Sequence, residues 1–258
     1  DPVIYYDFLN GSGTTLTNLG TSGSSANGTL STYGGGTDEY RWVTGGNVFS
    51  GSYAIEFFDS TQTGSDGYIN TNFVPNFGSS GSSGGNSWSI GMWYKATGSA
   101  IFNLWSVMDT GGTENTSVGL YLVGNNALAL DGSGTGGSNY LDSDVVSNIR
   151  DGNYHFVVAT YDGTANLGSK GKLYVDGVNV TNNDGLDVGN YGTNNDSILI
   201  GRGTHRSAVH LSGSIQEFAY WDFVLHSDRV TELYNSGSIS GRTGNVLNTM
   251  DYTVTIYD

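Results

Sequence analysis

The chain has 258 residues, enough to bury a sizeable core, and an all-β sandwich of that length folds as one domain. Its formal charge is −15, from 24 acidic and 9 basic residues, which excludes non-specific nucleic-acid and anionic-membrane binding because both need a cationic field. The lack of cysteine excludes disulfides and thiolate chemistry, and 17 Tyr, 10 Phe and 5 Trp exclude a chain without a core.

Glycine occurs 41 times and proline only 2 times, which implies many turns between short strands. Charged residues are 13%, so the surface is largely neutral Ser, Thr, Asn and Gly, as suits an extracellular protein, and the lack of cysteine suits a bacterial or phage protein of the cell surface or virion surface. No run approaches the ~18 apolar residues of a membrane span. Asp1-Pro-Val-Ile carries no basic leader region, so a signal peptide is expected to be gone or never present.

In chain order, Val3–Phe8 reads as an opening strand, and Asn10–Asn18 and Asn27–Leu30 as short strands between Gly/Ser turns. Tyr53–Phe58 and Tyr68–Val74 are expected to pair around a turn containing Asp59, Asp66 and Gly67. In Trp88–Tyr94 the residues Trp88, Ile90, Met92 and Tyr94 share one face, with Ser89, Gly91 and Trp93 on the other. Ile101–Val107 is the next strand, and Val118–Val123 turns through Asn125 and Asn126 into Ala127–Leu130.

Two strands follow in Asp151–Gly163 and Lys172–Val180. The second contains Asp176-Gly177 between alternating apolar residues, a strong hairpin signal because both central residues need positive φ. Ile198–Gly201 and Gly213–Asp222 are late strands. Leu225–Tyr234 is the one convincing helix, with Ser227 or Asp228 as cap and Val230, Leu233 and Tyr234 on one face.

These segments resemble laminin-G-like jelly-roll domains of the concanavalin A-like lectin/glucanase superfamily. The likeness rests on the Val3–Phe8 strand, the Gly11-Ser-Gly-Thr-Thr15 element, the Asn27-Gly-Thr-Leu30 strand, the Asp151–Gly163 and Lys172–Val180 pair, and the closing motif from Gly213 to Asp228. It implies an all-β jelly-roll sandwich of two antiparallel sheets with one short C-terminal-side helix. The domain is expected over residues 1–235. Residues 236–258 would form a linker and an extra strand, Asp251–Tyr257, packed on the same sandwich or on a neighbouring subunit.

The resemblance also implies non-catalytic recognition, although the fold carries many unrelated sites. The paired carboxylates of the glucanase relatives and the Arg-rich strand of the lyase relatives are absent, and His155 stands where the family has a packing histidine. Relatives commonly hold a structural calcium between an N-terminal turn carboxylate and the closing motif. The candidates here are Asp7, Asp59, Asp66 and Gln216, which replaces the usual Asp.

Ligand contacts are expected from end loops. The loop Gly201–His210 concentrates Arg202, His205, Arg206 and His210, and Asp109, Tyr140 and Asn194 are expected nearby, with Tyr140 or Trp105 as an aromatic platform. The expected partner is a glycan or polysaccharide. The competing reading is a structural subunit of a virion, surface layer or filament, a homo-oligomer assembled through the C-terminal strand.

Overall fold

The computed structural model describes residues 1–33, 39–44, 53–58, 66–78, 85–107, 118–124, 126–132, 140–184, 196–203 and 209–239. At Tyr33, Asp66, Asp131, Gly132, Tyr140 and Val209 the backbone alone is described. The expected strand Asp251–Tyr257 lies outside these residues.

Two antiparallel sheets face each other. The first has eight strands. Its central strand β7 (Trp88–Thr97) lies between β12 (Asp151–Tyr161) and β19 (Gly213–Trp221). Outside β12 come β13 (Gly171–Val175) and β14 (Val178–Asn179). On the far side of β19 lie β5 (Tyr53–Phe57), then β4 (Tyr40–Thr44), while β1 (Ile4–Tyr6) pairs with the C-terminal half of β19.

The second sheet has nine strands. From one edge they run β15 (Thr181–Asp184), β11 (Tyr140–Ser143), β10 (Ala127–Gly132), β9 (Val118–Val123), β8 (Phe102–Val107), β16 (Ile198–Ile200), β6 (Asp66–Asn70), β3 (Gly28–Tyr33) and β2 (Thr15–Leu16). A small ladder of β17 (Arg202–Gly203) and β18 (Val209–His210) belongs to neither sheet.

Alternation explains the layers. Trp88, Ile90, Met92 and Tyr94 point between the sheets, where they meet Leu104, Trp105, Leu120, Leu122, Leu128 and Leu130 in the main core. Trp105 and Trp88 pack edge to face with centroids 5.8 Å apart. The opposite phase of the eight-stranded sheet is also buried. Trp93, Phe156, Val158, Tyr174, Ala219 and Trp221 form a second core under helix α1 (Ser227–Ser236), which contributes Val230 and Leu233.

The jelly-roll sandwich expected from the sequence is therefore the fold. The Asp176-Gly177 hairpin has both central residues at positive φ, 50° and 79°. It also anchors α1, because the Thr231 hydroxyl donates to the Gly177 carbonyl at 2.9 Å. A Cβ at position 177 would lie 3.2 Å from the Thr231 backbone, a second reason for glycine there.

Three local expectations are corrected. Tyr53–Phe57 and Asp66–Asn70 do not pair: β5 joins β4 and β19 in one sheet, and β6 joins β3 and β16 in the other. The missed strand β4 is half-exposed on both phases, so its alternation was weak; the Arg41–Glu56 ion pair ties it to β5. The helix is capped by neither Ser227 nor Asp228. His226 holds the N-cap position without a side-chain bond, which puts Ser227 and Asp228 inside the first turn. The expected platform Trp105 is fully buried in the core and reaches no surface.

Candidate functional site

The inner phase of the nine-stranded sheet is apolar, so its outer phase carries whatever surface chemistry the sheet has. Cross-strand register sets one row on that face: Asn103 opposes Tyr121, Tyr121 opposes Ala129, Ala129 opposes Asp142, and Asp142 opposes Asn183. With strands ~4.8 Å apart, Asn103 and Asp142 stand about 14 Å from each other along this row. Between them lie the ring of Tyr121, itself only 4% exposed, and the methyl group of Ala129.

Asn103 is the anomaly of the row. It is 0% exposed, and neither its Oδ1 nor its Nδ2 has a hydrogen-bond partner. A buried amide left unpaired costs about 1–3 kcal/mol, and native proteins rarely keep one without a reason. One carboxylate oxygen of Asp142, Oδ1, is likewise buried and unpartnered. The bulge between Asn103 and Trp105 turns Asn103 to the outer phase, whereas Trp105 stays in the core.

A parallel row runs Thr29, Asn70, Leu199, Ser106, Gly119, Asp131 and Tyr140. Over it sits the β17–β18 ladder. The Ser106 hydroxyl donates to the Arg202 carbonyl at 2.7 Å, and the Gly201 N–H donates to the Leu104 carbonyl at 2.9 Å. The Arg202 guanidinium lies over the Tyr68 ring, 5.1 Å from its centroid. Gly203 rests so closely on the Asn103 amide that any Cβ would collide with Nδ2.

Of the residues expected to bind ligand, Arg202 is thus on this face, and the register of β11 puts Tyr140 in its second row. Asp109, Asn194, His205 and Arg206 lie outside the described residues. Asn103, Tyr121, Asp142 and Tyr68 were missed. For Tyr121 a signal existed: in Val118–Val123, Gly119 and Tyr121 fall on the phase opposite Val118, Leu120 and Leu122.

Of the metal candidates, the Asp7 carboxylate accepts the Leu9 N–H at 3.1 Å in a local turn, and Gln216 is fully buried in β19. Asp59 lies outside the described residues, and Asp66 is described by its backbone alone. Among the described residues no three His, Asp or Glu side chains come together as a metal site.

Two further buried titratable groups make hydrogen bonds between elements of the fold. His155 bridges two carboxylates, with Nδ1 2.8 Å from Asp176 and Nε2 3.3 Å from Asp151. Burial works against its charge, but the hydrogen bonds and charges of Asp176 and Asp151 outweigh it and hold its pKa above the ordinary imidazole value. Glu217, 1% exposed, accepts from the Tyr5 hydroxyl at 2.6 Å, the Ser238 hydroxyl at 3.0 Å and the Ile239 N–H at 2.7 Å. Burial pushes its pKa up to about 7 against the opposing effect of those donors.

A family model described as the concanavalin A-like lectin/glucanases superfamily matches residues 63–231. No curated protein matches the chain. Among solved structures, domain 4 of AbnA, an extracellular arabinanase from Geobacillus stearothermophilus, was determined in complex with arabinotriose. It superposes with a TM-score of 0.60 at 20% identity, covering 91% of this chain and 98% of that one. The binding domains of botulinum neurotoxin serotype G and of Paraclostridial Mosquitocidal Protein 1 superpose with TM-scores of 0.59 and 0.58, at 13% and 15% identity. These cover 91% and 92% of this chain but 50% and 52% of theirs, so the chain spans about half the length of those relatives. At such identities the likeness is one of fold. With more than half its length matched by the family model, the chain belongs to the concanavalin A-like lectin/glucanase superfamily.

Proposed function

We propose that this domain is a non-catalytic, extracellular glycan-recognition module, and that it binds oligosaccharide on the outer face of the nine-stranded sheet. The single observation that carries the reading is the Asn103 amide, buried and unpartnered beside Tyr121. An aromatic ring offers its π face to the apolar C–H face of a sugar, while an amide and a carboxylate on either side bond its hydroxyls. The row Asn103–Tyr121–Ala129–Asp142 supplies those groups in that order, and Ala129 leaves space for a ring. Binding would lift Gly203 from the amide. Gly203 belongs to a ladder whose two strands have two residues each.

The relative solved with arabinotriose supports the ligand class. The non-catalytic part is supported by the buried carboxyl of Glu217 and the caged His155, both committed to structural hydrogen bonds. The test is an array of neutral and acidic glycans probed with the intact chain, followed by titration of the best ligand into Tyr121→Ala. The expected result is binding by the parent and at least tenfold weaker binding by the variant. Silence across the array, or a variant that binds as the parent does, contradicts the proposal.

A further inference from the structure

A cavity of about 460 Å3 lies on the other side of the molecule, where the N-terminal segment meets α1. It has room for roughly fifteen waters at ~30 Å3 each. Tyr5, Trp221, Leu225 and Ile239 wall it, and all four belong to the second core on the outer face of the eight-stranded sheet. Two large apolar side chains beside it stay in water: Leu19 is 47% exposed and Phe223 42% exposed. Thr21 and Arg229 add polar groups to the lining.

Buried polar side chains fix the segments that form these walls. Asn18, 6% exposed, accepts the Tyr5 and Gly20 N–H groups on Oδ1 at 2.8 and 3.0 Å and donates from Nδ2 to the Gly23 carbonyl at 3.0 Å. Ser89, 0% exposed, donates to the Phe223 carbonyl at 2.9 Å and accepts the Leu225 N–H at 2.8 Å. Glu217 fixes Tyr5 and Ile239 from below. Burying three polar groups to brace one concavity costs desolvation that a collapsed apolar packing would avoid. The outcome is a pre-formed pocket of the size and mixed lining that small ligands use.

We propose that this cavity is a second sugar site, which takes one terminal sugar ring against Phe223 and Trp221 with its hydroxyls toward Thr21 and Arg229. The proposal rests on the reading of the domain as a glycan binder but uses none of the same residues. Two sites on opposite sheets would make the module bivalent, able to hold two chains of one polysaccharide.

The experiment is a 1H–15N NMR titration of the intact chain with arabinotriose and with the methyl glycosides of arabinofuranose, glucose, galactose, mannose and glucuronic acid. Resonances of Trp221 and Phe223 report the cavity, and those of Tyr121 and Asn103 report the other face. The expected result is saturable shifts in both sets. Phe223→Ala, and independently Arg229→Ala, should weaken the cavity set at least tenfold and leave the Tyr121 set unchanged. Shifts at Tyr121 and Asn103 alone overturn the second site and leave the first standing. Shifts at the cavity alone support it and remove the first. Silence in both sets overturns both.

Discussion

At the residue scale, Asn103 separates a functional from a structural explanation. A side chain kept for folding makes bonds, and its loss lowers stability; this one makes none. Asn103→Ala removes an unpaired amide whose burial costs about 1–3 kcal/mol and leaves a small void in exchange. The expected outcome is an unchanged or raised Tm together with at least tenfold weaker glycan binding, read by thermal unfolding and calorimetric titration. A Tm lowered by several degrees with affinity intact would make Asn103 a structural residue. Its unpaired burial was illegible in the sequence, because the bulge in β8 and the approach of Gly203 are what make that amide exceptional. Arg202 could be singled out as a rare cation, yet its partner Tyr68 sits on a strand 134 residues earlier in the chain.

At the element scale, patterns with strong local chemistry were legible and long-range pairings were not. The alternation of Trp88–Tyr94 and the Asp176-Gly177 turn each express a backbone requirement within a few residues. β5 pairs with β4, whose pattern is faint, β6 pairs with β3 and β16 in the other sheet, and the start of α1 depends on a backbone cap without side-chain help. Two buried groups tie these elements together. His155 joins β12 to the hairpin through Asp176, and Glu217 joins β1, β19 and the turn after α1.

Both ties have a raised folded-state pKa, so both contribute in the same direction with pH. The protonated forms are favoured in the fold. Their stabilisation is present in mildly acidic solution and fades as pH rises, for Glu217 from above the ordinary carboxylate range through about 7, and for His155 through its raised value. Tm is therefore expected to fall between about pH 5 and pH 8, with Glu217→Gln flattening the slope. A Tm that holds level or climbs across that interval contradicts the assignment.

At the scale of the whole molecule, one sheet is covered on both faces, and the recognition face we propose is the outer face of the other, where Asn103 and Tyr121 are themselves buried, 0% and 4% exposed. The eight-stranded sheet is covered by α1 and the second core, whereas among the described residues the outer face of the nine-stranded sheet carries the short β17–β18 ladder. A net charge of −15 repels polyanions at long range, so the glycan array is expected to favour neutral glycans over sulfated or uronate-rich ones. Among the described residues no helix is long and apolar enough to cross a membrane. The central claim is tested most directly by a crystal structure of the chain with the best ligand from the glycan array. The account predicts a sugar ring on Tyr121, hydroxyls within about 3.2 Å of Asn103 and Asp142, and Gly203 displaced from the amide. A sugar bound away from that row, with Gly203 still resting on Asn103, would contradict it.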